Sequence, residues 1–528
     1  MPRARRRCDD FGCSGAARLV LCDADAVTTP LGPAAHDPHP PTAHLATATA
    51  ASLVDDLAAG RTTSTALVRA LLDRIAAVDD AGPGLRAVLA VSADALDQAA
   101  ALDAERAAGT LRGPLHGVPA LVKDNIEAVG LPGTAGSLVL AGRPVLADAP
   151  LVASMRAAGL VIVGSTNLSE WANMRSPHSA SGWSAVGGLT GNPWALDRSA
   201  GGSSSGSGAA VAAGLVPLAV GTETDGSITC PSSLNGVVGL KPTVGLVSTE
   251  GVVPLAASQD APGPMARSVR DAALLLDAMT GSSSYAAAPG TRSIADVTLG
   301  VATGWLSGHP GTDALFAASV ARLEAAGASV GTVEVQPAGA AGQAELTVLL
   351  CELKDGLDRY LAGRPGDGPR SLAEVVAFDL EHADLELAHF GHEFLEAALA
   401  TGGVDDPAYA EARAACLAWA VDEMLEPAFA SDLAPDVLVA PAYAPAWKSD
   451  LSAGDHFLGG GAASTAPSLA GWPVLCLPMG LVAGLPVGLV LIGRPHTEDA
   501  LLAVGHAVEE ALGVMGTLAP TWTPPGRG

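Results

Sequence analysis

The chain reads as an α/β protein, a parallel or mixed β-sheet covered on both faces by helices, with a helical insertion in its C-terminal half. Three observations predict this. Short apolar runs alternate with Gly-rich turns and Ala-rich stretches up to about Gly281, and strands that alternate with helices build sheets buried on both faces. Strand-like runs return near Val297 and again at Val437. Between these, from about 345 to 429, the sequence is mostly helical in pattern and little of it reads as strand.

Taken in order, residues 1–46 are rich in Pro, Ala, His and Asp without sustained periodicity, and are expected to form a disordered extension. From Ala48 to Ala108 the apolar residues Leu53, Leu57, Leu67, Leu71, Leu72 and Ile75 recur at helical spacing, so this part is expected to be helical. Strands are expected over 118–122, 160–163, 216–220 and 237–240, with a helix over 207–213 between two of them. A second βα segment follows near Val297, with a helix over 313–325 and a strand over 330–335. Further strands are expected at 437–440, 474–477 and 487–492, and a last helix at 499–512. No internal repeat is visible. Residues 47–515 are expected to be one domain, and 516–528 a C-terminal tail.

Asp and Glu (55) outnumber Lys and Arg (29), for a formal charge of −26. Such a surface repels phosphate backbones and anionic lipid, so neither nucleic acid nor membrane is an expected partner. The strongest apolar stretches, 208–220 and 484–493, are too short and too broken by Gly and Pro to span a bilayer. Arg3, Arg5, Arg6 and Arg7 are followed by Cys8, Asp9 and Asp10, not by the apolar run of a secretory signal. A cytoplasmic location is the expectation. The seven cysteines show neither metal-ligand spacing nor a disulfide framework. No metal and no cofactor is expected, and His382, His389 and His392 read as helix-surface residues.

Three segments carry chemistry. The first is Ser-Ala-Gly-Gly-Ser-Ser-Ser-Gly-Ser-Gly-Ala-Ala at 199–210. A flexible linker has this composition, but here the run enters an Ala/Val helix at once and a strand follows. It also contains Gly-x-Ser-x-Gly, centred on Ser204, yet the apolar strand that a nucleophile elbow needs is missing before it. A phosphate loop would close on Gly-Lys-Ser/Thr, and this run does not. The second segment, Gly-Thr-Glu-Thr-Asp-Gly-Ser-Ile-Thr-Cys-Pro at 221–231, follows an expected strand, where α/β sheets place their ligands. Ser227 opens an expected short helix over 228–234, where the backbone N–H groups of residues 224–227 point freely toward an anion. A capping serine is the alternative reading. The third is Lys123, in Gly-Val-Pro-Ala-Leu-Val-Lys-Asp-Asn at 117–125. The chain has four lysines against twenty-five arginines, and a buried lysine, unlike arginine, gives up its proton. A surface lysine leaning from a strand end is the alternative.

Together, in their order along the chain and with the spacing from Ser203 to Ser227, the three segments resemble the amidase signature family. Gly-Leu-Lys-Pro-Thr-Val-Gly-Leu-Val-Ser at 239–248 and Gly-Leu-Pro-Val-Gly-Leu-Val-Leu-Ile-Gly at 484–493 agree, and the likeness covers about residues 48–515. It implies the amidase signature fold, a large mixed β-sheet sandwiched between helices. It also implies a hydrolase that converts a carboxamide to carboxylate and ammonia through an acyl-enzyme. Carried over residue by residue, Ser227 is the expected nucleophile, Ser203 the bridging serine on a cis peptide bond, and Lys123 the base. The expected oxyanion hole is formed by the amides of Thr224, Asp225, Gly226 and Ser227.

Within the family the chain resembles the peptide amidase branch, through Thr-Glu-Thr-Asp-Gly-Ser-Ile at 222–228, Thr-Asn-Leu-Ser-Glu-Trp-Ala-Asn at 166–173 and Phe-Gly-His-Glu at 390–393. Thr229 stands where other relatives carry Arg, and Asp379 and His392 stand where that branch tends to have Asn and Gln. The implied substrate is a peptide ending in CONH2, and the implied state a monomer or homodimer. Two alternatives stay open: a protein like the amidase-type subunit of an amidotransferase, which works with partner subunits, and an amidase for small aliphatic or aryl amides. To serve as a base Lys123 must be buried, and Asp124 is expected to point away from its amine.

Overall fold

Strand pairing in the computed structural model, which describes residues 47–337, 341–514, 516–518 and 520, joins eleven strands of these residues into one mixed sheet. The expected extension over 1–46 and most of the expected tail lie outside the described residues. In chain order the strands are β1 (Val88–Val91), β2 (Pro119–Lys123), β3 (Val161–Thr166), β4 (Leu218–Glu223), β5 (Val238–Lys241) and β6 (Ala261–Ala266). They continue with β7 (Thr298–Ala302), β8 (Ser329–Val333), β9 (Val437–Pro441), β10 (Val474–Val482) and β11 (Leu485–Ile492). Across the sheet the order is β1-β3-β2-β4-β6-β5-β10-β11-β9-β7-β8. The parallel pairs are β2 with β3 and β4, and β7 with β8 and β9. Among the described residues no helix is long and apolar enough to cross a membrane.

Helices α1 (Ala50–Ala58), α2 (Ser205–Ala212), α3 (Thr229–Asn235), α4 (Val269–Thr280) and α5 (Ala341–Gly363) are followed by α6 (Leu372–Glu381), α7 (Glu393–Leu399), α8 (Pro407–Leu417), α9 (Ala462–Ala470) and α10 (Glu498–Leu512). Side chains alternate across a strand, and β2 shows what that does here. Ala120 and Val122 pack into the core that holds α1, α4 and α10, whereas Leu121 packs on the opposite face with α2. Lys123, two residues beyond Leu121, therefore falls on the α2 side of the sheet. The expected helical insertion is present as α5 to α8. Leu353, Leu357, Leu361, Leu372, Val375 and Leu395 bury one face of it against Trp171, Val253 and Leu255 of the body.

Two strands depart from expectation. β1 lies inside the segment expected to be helical, where its four residues are partly exposed at the sheet edge. The heavily polar and Ala-rich surroundings mask so short a strand. β6 reads Ala-Pro-Gly-Pro-Met-Ala, and two prolines argue against a strand between two neighbours. The pairing resolves the conflict. β6 pairs along its whole length with β4, but only Met265 and Ala266 pair with β5, so neither proline sits where both neighbours demand an N–H.

Candidate active site

The end of β2 delivers Lys123 to the start of α2, and the end of β4 delivers the loop 224–227 to the same place. Lys123 is fully buried, and its Nζ lies 2.7 Å from Ser203 Oγ, 2.9 Å from Thr222 Oγ1 and 3.2 Å from the Thr222 carbonyl. Among the described residues it forms no ion pair. Burial pulls its amine down to about 7, although the Asp260 and Glu223 carboxylates oppose that shift. These two carboxylates modify the expectation that no acid would act on the amine. Asp124 behaves as expected and faces elsewhere, accepting from the backbone N–H groups of Gly133 (3.2 Å) and Thr134 (2.8 Å).

The serines of the Ser-rich run divide by partner. Ser204 Oγ donates to the Thr222 carbonyl (3.1 Å), Ser207 Oγ to the Val220 carbonyl (3.1 Å), and Ser205 Oγ to the Gly201 carbonyl. These hydroxyls tie α2 to β4 and to its own first turn, so the run is neither a linker nor an elbow presenting Ser204. Ser203, which follows a cis peptide bond to Gly202, is the one whose hydroxyl meets Lys123. Ser227 is buried beside this pair, with its carbonyl accepting from Ser204 N at 3.1 Å.

Ser227 does not cap α3. Glu223 does that work: its Oε2 accepts from Ile228 N (2.6 Å) and Thr229 N (2.8 Å). Among the described residues, no acceptor takes the N–H groups of Asp225, Gly226 or Ser227, which leaves them free for an anion. Gly226 has φ +79°, and an added Cβ would run into the Tyr443 hydroxyl. The loop therefore needs glycine there for its backbone and for its neighbour. Thr224 is held through its hydroxyl, which donates to Asp260 Oδ1 at 2.6 Å.

Several site residues were missed in the sequence. Thr222 is one, quoted in the loop motif but given no role, though it is the second partner of the lysine. Asn125 Nδ2 donates to Thr222 Oγ1 at 3.0 Å, and its place in the Lys-Asp-Asn run was the available signal. Glu223, Gln259 and Asp260 carried none. The histidine reading needs two corrections. His389 is exposed, but it lies on the loop between α6 and α7 and not on a helix. His392 is buried and its Nδ1 lies 3.0 Å from Asp379 Oδ2, because the insertion folds its loop inward against the body. Among the described residues no group of three or more His, Cys, Asp or Glu is placed to hold a metal ion.

A family model described as Amidase matches residues 66–502. The chain belongs to the amidase family. Among solved structures, this amidase is similar to the native peptide amidase from Stenotrophomonas maltophilia, with 44% identity and a TM-score of 0.82 over 92% of this chain and 99% of that one. A peptide amidase in complex with the competitive inhibitor chymostatin gives 45% and 0.83 over 90% and 99%. Among curated proteins, the A subunit of the glutamyl-tRNA(Gln) amidotransferase from Symbiobacterium thermophilum is 36% identical over 477 residues, 86% of this chain and 94% of that protein. As an amidase, the chain is an enzyme acting on amide C–N bonds.

Proposed function

We propose that this amidase removes ammonia from the C-terminal carboxamide of peptides, with Ser227 as nucleophile, Ser203 as bridging serine and Lys123 as base. The observation that carries the reading is the buried Lys123 amine, free of ion pairs among the described residues and 2.7 Å from Ser203 Oγ. An amide is a poor electrophile with a poor leaving group, so a proton must reach nitrogen as the C–N bond breaks. Neutral Lys123 takes the Ser203 proton while Ser203 takes that of Ser227, which attacks the carbonyl carbon. The developing oxyanion meets the free amides of Asp225, Gly226 and Ser227, where one such donor is worth about 3 kcal/mol. The relay then runs backwards to protonate the departing nitrogen, ammonia leaves, and water hydrolyses the acyl-enzyme.

Peptide specificity is supported by the 44% and 45% identity to peptide amidases and by the uncharged, buried Thr229, which packs beside Glu223. The amidotransferase relatives favour a second reading, a protein that works only within a multi-subunit complex. One experiment separates them: the purified chain alone is given amidated di- and tripeptides, acetamide and an unamidated peptide, with ammonia release as readout. The expected outcome is release from the amidated peptides, intact internal peptide bonds, and loss of both turnover and fluorophosphonate labelling in Ser227→Ala. Activity only after adding partner subunits would establish the second reading. Turnover of acetamide alone, or endopeptidase cleavage, would sink the peptide-amide assignment. Label retained on Ser227→Ala would overturn the nucleophile.

A further inference from the structure

The loop 224–227 is gripped from outside the relay. On one side the Asp225 carboxylate accepts from Ser464 Oγ (2.6 Å) and Thr465 Oγ1 (3.0 Å), both in the first turn of α9. On another, Thr224 donates to Asp260, whose second oxygen accepts from Leu255 N and Ala256 N. The remaining grip comes from the helical insertion. Gln259 Nε2 donates both to the Thr224 carbonyl (3.4 Å) and to Glu345 Oε1 (3.0 Å), and Glu345, near the start of α5, also feels the charge of the Asp225 carboxylate. Gln259 is fully buried and Glu345 is 9% exposed.

We propose that Glu345 is a positioning residue for the oxyanion loop, through which the helical insertion sets the rate of acylation and not only the fit of the substrate. This rests on Ser227 being the nucleophile. Two facing carboxyls in a buried site cannot both ionise cheaply. Burial and the Asp225 charge push Glu345 up to about 8, so at neutral pH it keeps its proton and adds no second charge beside Asp225. Asp225 takes its two donors from α9, and Glu345 reaches the neighbouring Thr224 carbonyl through Gln259, so the loop is held between two helices. Gln259 locks the adjoining Thr224 carbonyl in the same way. Without Glu345, Gln259 loses its anchor. The amides of Asp225, Gly226 and Ser227 that must meet the oxyanion are then free to tilt, and small misplacements of such groups are costly.

The test uses the full chain and a fluorophosphonate, whose phosphoryl oxygen takes the oxyanion position whatever the natural substrate is. The maximal labelling rate and the half-saturating probe concentration are measured separately, for the wild-type chain and for Glu345→Ala, Glu345→Gln and Glu345→Asp, alongside thermal melting. Glu345→Ala should lower the maximal rate about tenfold or more with half-saturation unchanged. Glu345→Gln keeps a neutral side chain of the same reach, with an oxygen to accept from Gln259, and should restore most of the rate. Glu345→Asp, one methylene too short, should resemble the alanine variant and replaces it should that variant not fold. A wild-type rate in Glu345→Ala or Glu345→Asp overturns the proposal. So does a loss shared equally by Glu345→Gln, or a change confined to half-saturation. Wild-type chain that takes no label at Ser227 instead overturns the nucleophile reading, and with it this inference.

Discussion

Lys123 is the residue on which the proposed chemistry turns. Free lysine titrates near 10.4, whereas burial brings this amine down to about 7. It is neutral and competent above that value and charged below it, so kcat/KM should fall as pH drops through about 7. Lys123→Arg should be nearly as inactive as Lys123→Ala, because guanidinium holds its proton. Lys241 is the natural control: it is also fully buried and lowered to about 8, but among the described residues its Nζ donates to the Pro242 carbonyl alone, at 3.4 Å. Lys241→Met should leave the limb near pH 7 in place, as should His392→Gln. A pH–rate profile of each variant checks this, and near-normal turnover in Lys123→Arg would refute a lysine base. Lys123 was legible in the sequence because lysine is rare here and stands at a strand end. Glu223 was not, since nothing in a local pattern says that a glutamate inside a strand will turn back to cap the next helix and leave Ser227 free.

At the scale of elements, the insertion is tied to the body by charges that sit below the surface. The Arg175 guanidinium reaches Glu170 (2.5 Å) and Glu386 (3.6 Å), donates to the Gly391 carbonyl (3.2 Å), and lies over the rings of Trp183 (5.2 Å) and Phe390 (5.3 Å). Both ion-pair partners are buried and both are pushed upward, first by burial, then by a neighbouring carboxylate: Glu386 beside Glu170, Asp379 beside Glu386. Arg175→Ala strands two buried acids, a change that costs about 3–5 kcal/mol. The stranded acids escape part of that cost by taking up protons, so the loss should be larger at pH 8 than at pH 5 in denaturant unfolding. Equal losses at both pH values would mean that packing on Trp183 and Phe390, not charge, holds the insertion. The helices of this insertion were readable from their periodicity. The inward turn of the loop carrying His392 was not, because it depends on Arg175, more than two hundred residues earlier. β1 and β6 escaped for a related reason, since each is made a strand by its neighbours in the sheet and not by its own composition.

The whole molecule carries 55 acidic against 29 basic residues, and two of its four lysines, Lys123 and Lys241, are spent in the interior. A field of one sign raises the local concentration of ligands of the other sign and speeds their encounter, without altering the bonds made once they arrive. The predicted substrate ends in a neutral carboxamide, so its charge is set by the rest of the peptide. Of two amidated tripeptides that differ only in Lys against Glu away from the scissile amide, the cationic one should therefore show the higher kcat/KM. The advantage should shrink as ionic strength rises from about 0.01 M to about 0.5 M, where the screening length contracts from about 30 Å to only a few ångströms. The gain belongs to capture, so saturating kcat should be alike for the two peptides, and the pH limb set by Lys123 should not move with salt. A preference for the cationic peptide that persists at high salt would instead place a specific carboxylate in the groove. No preference at low salt would show that the acidic field lies away from the substrate's path.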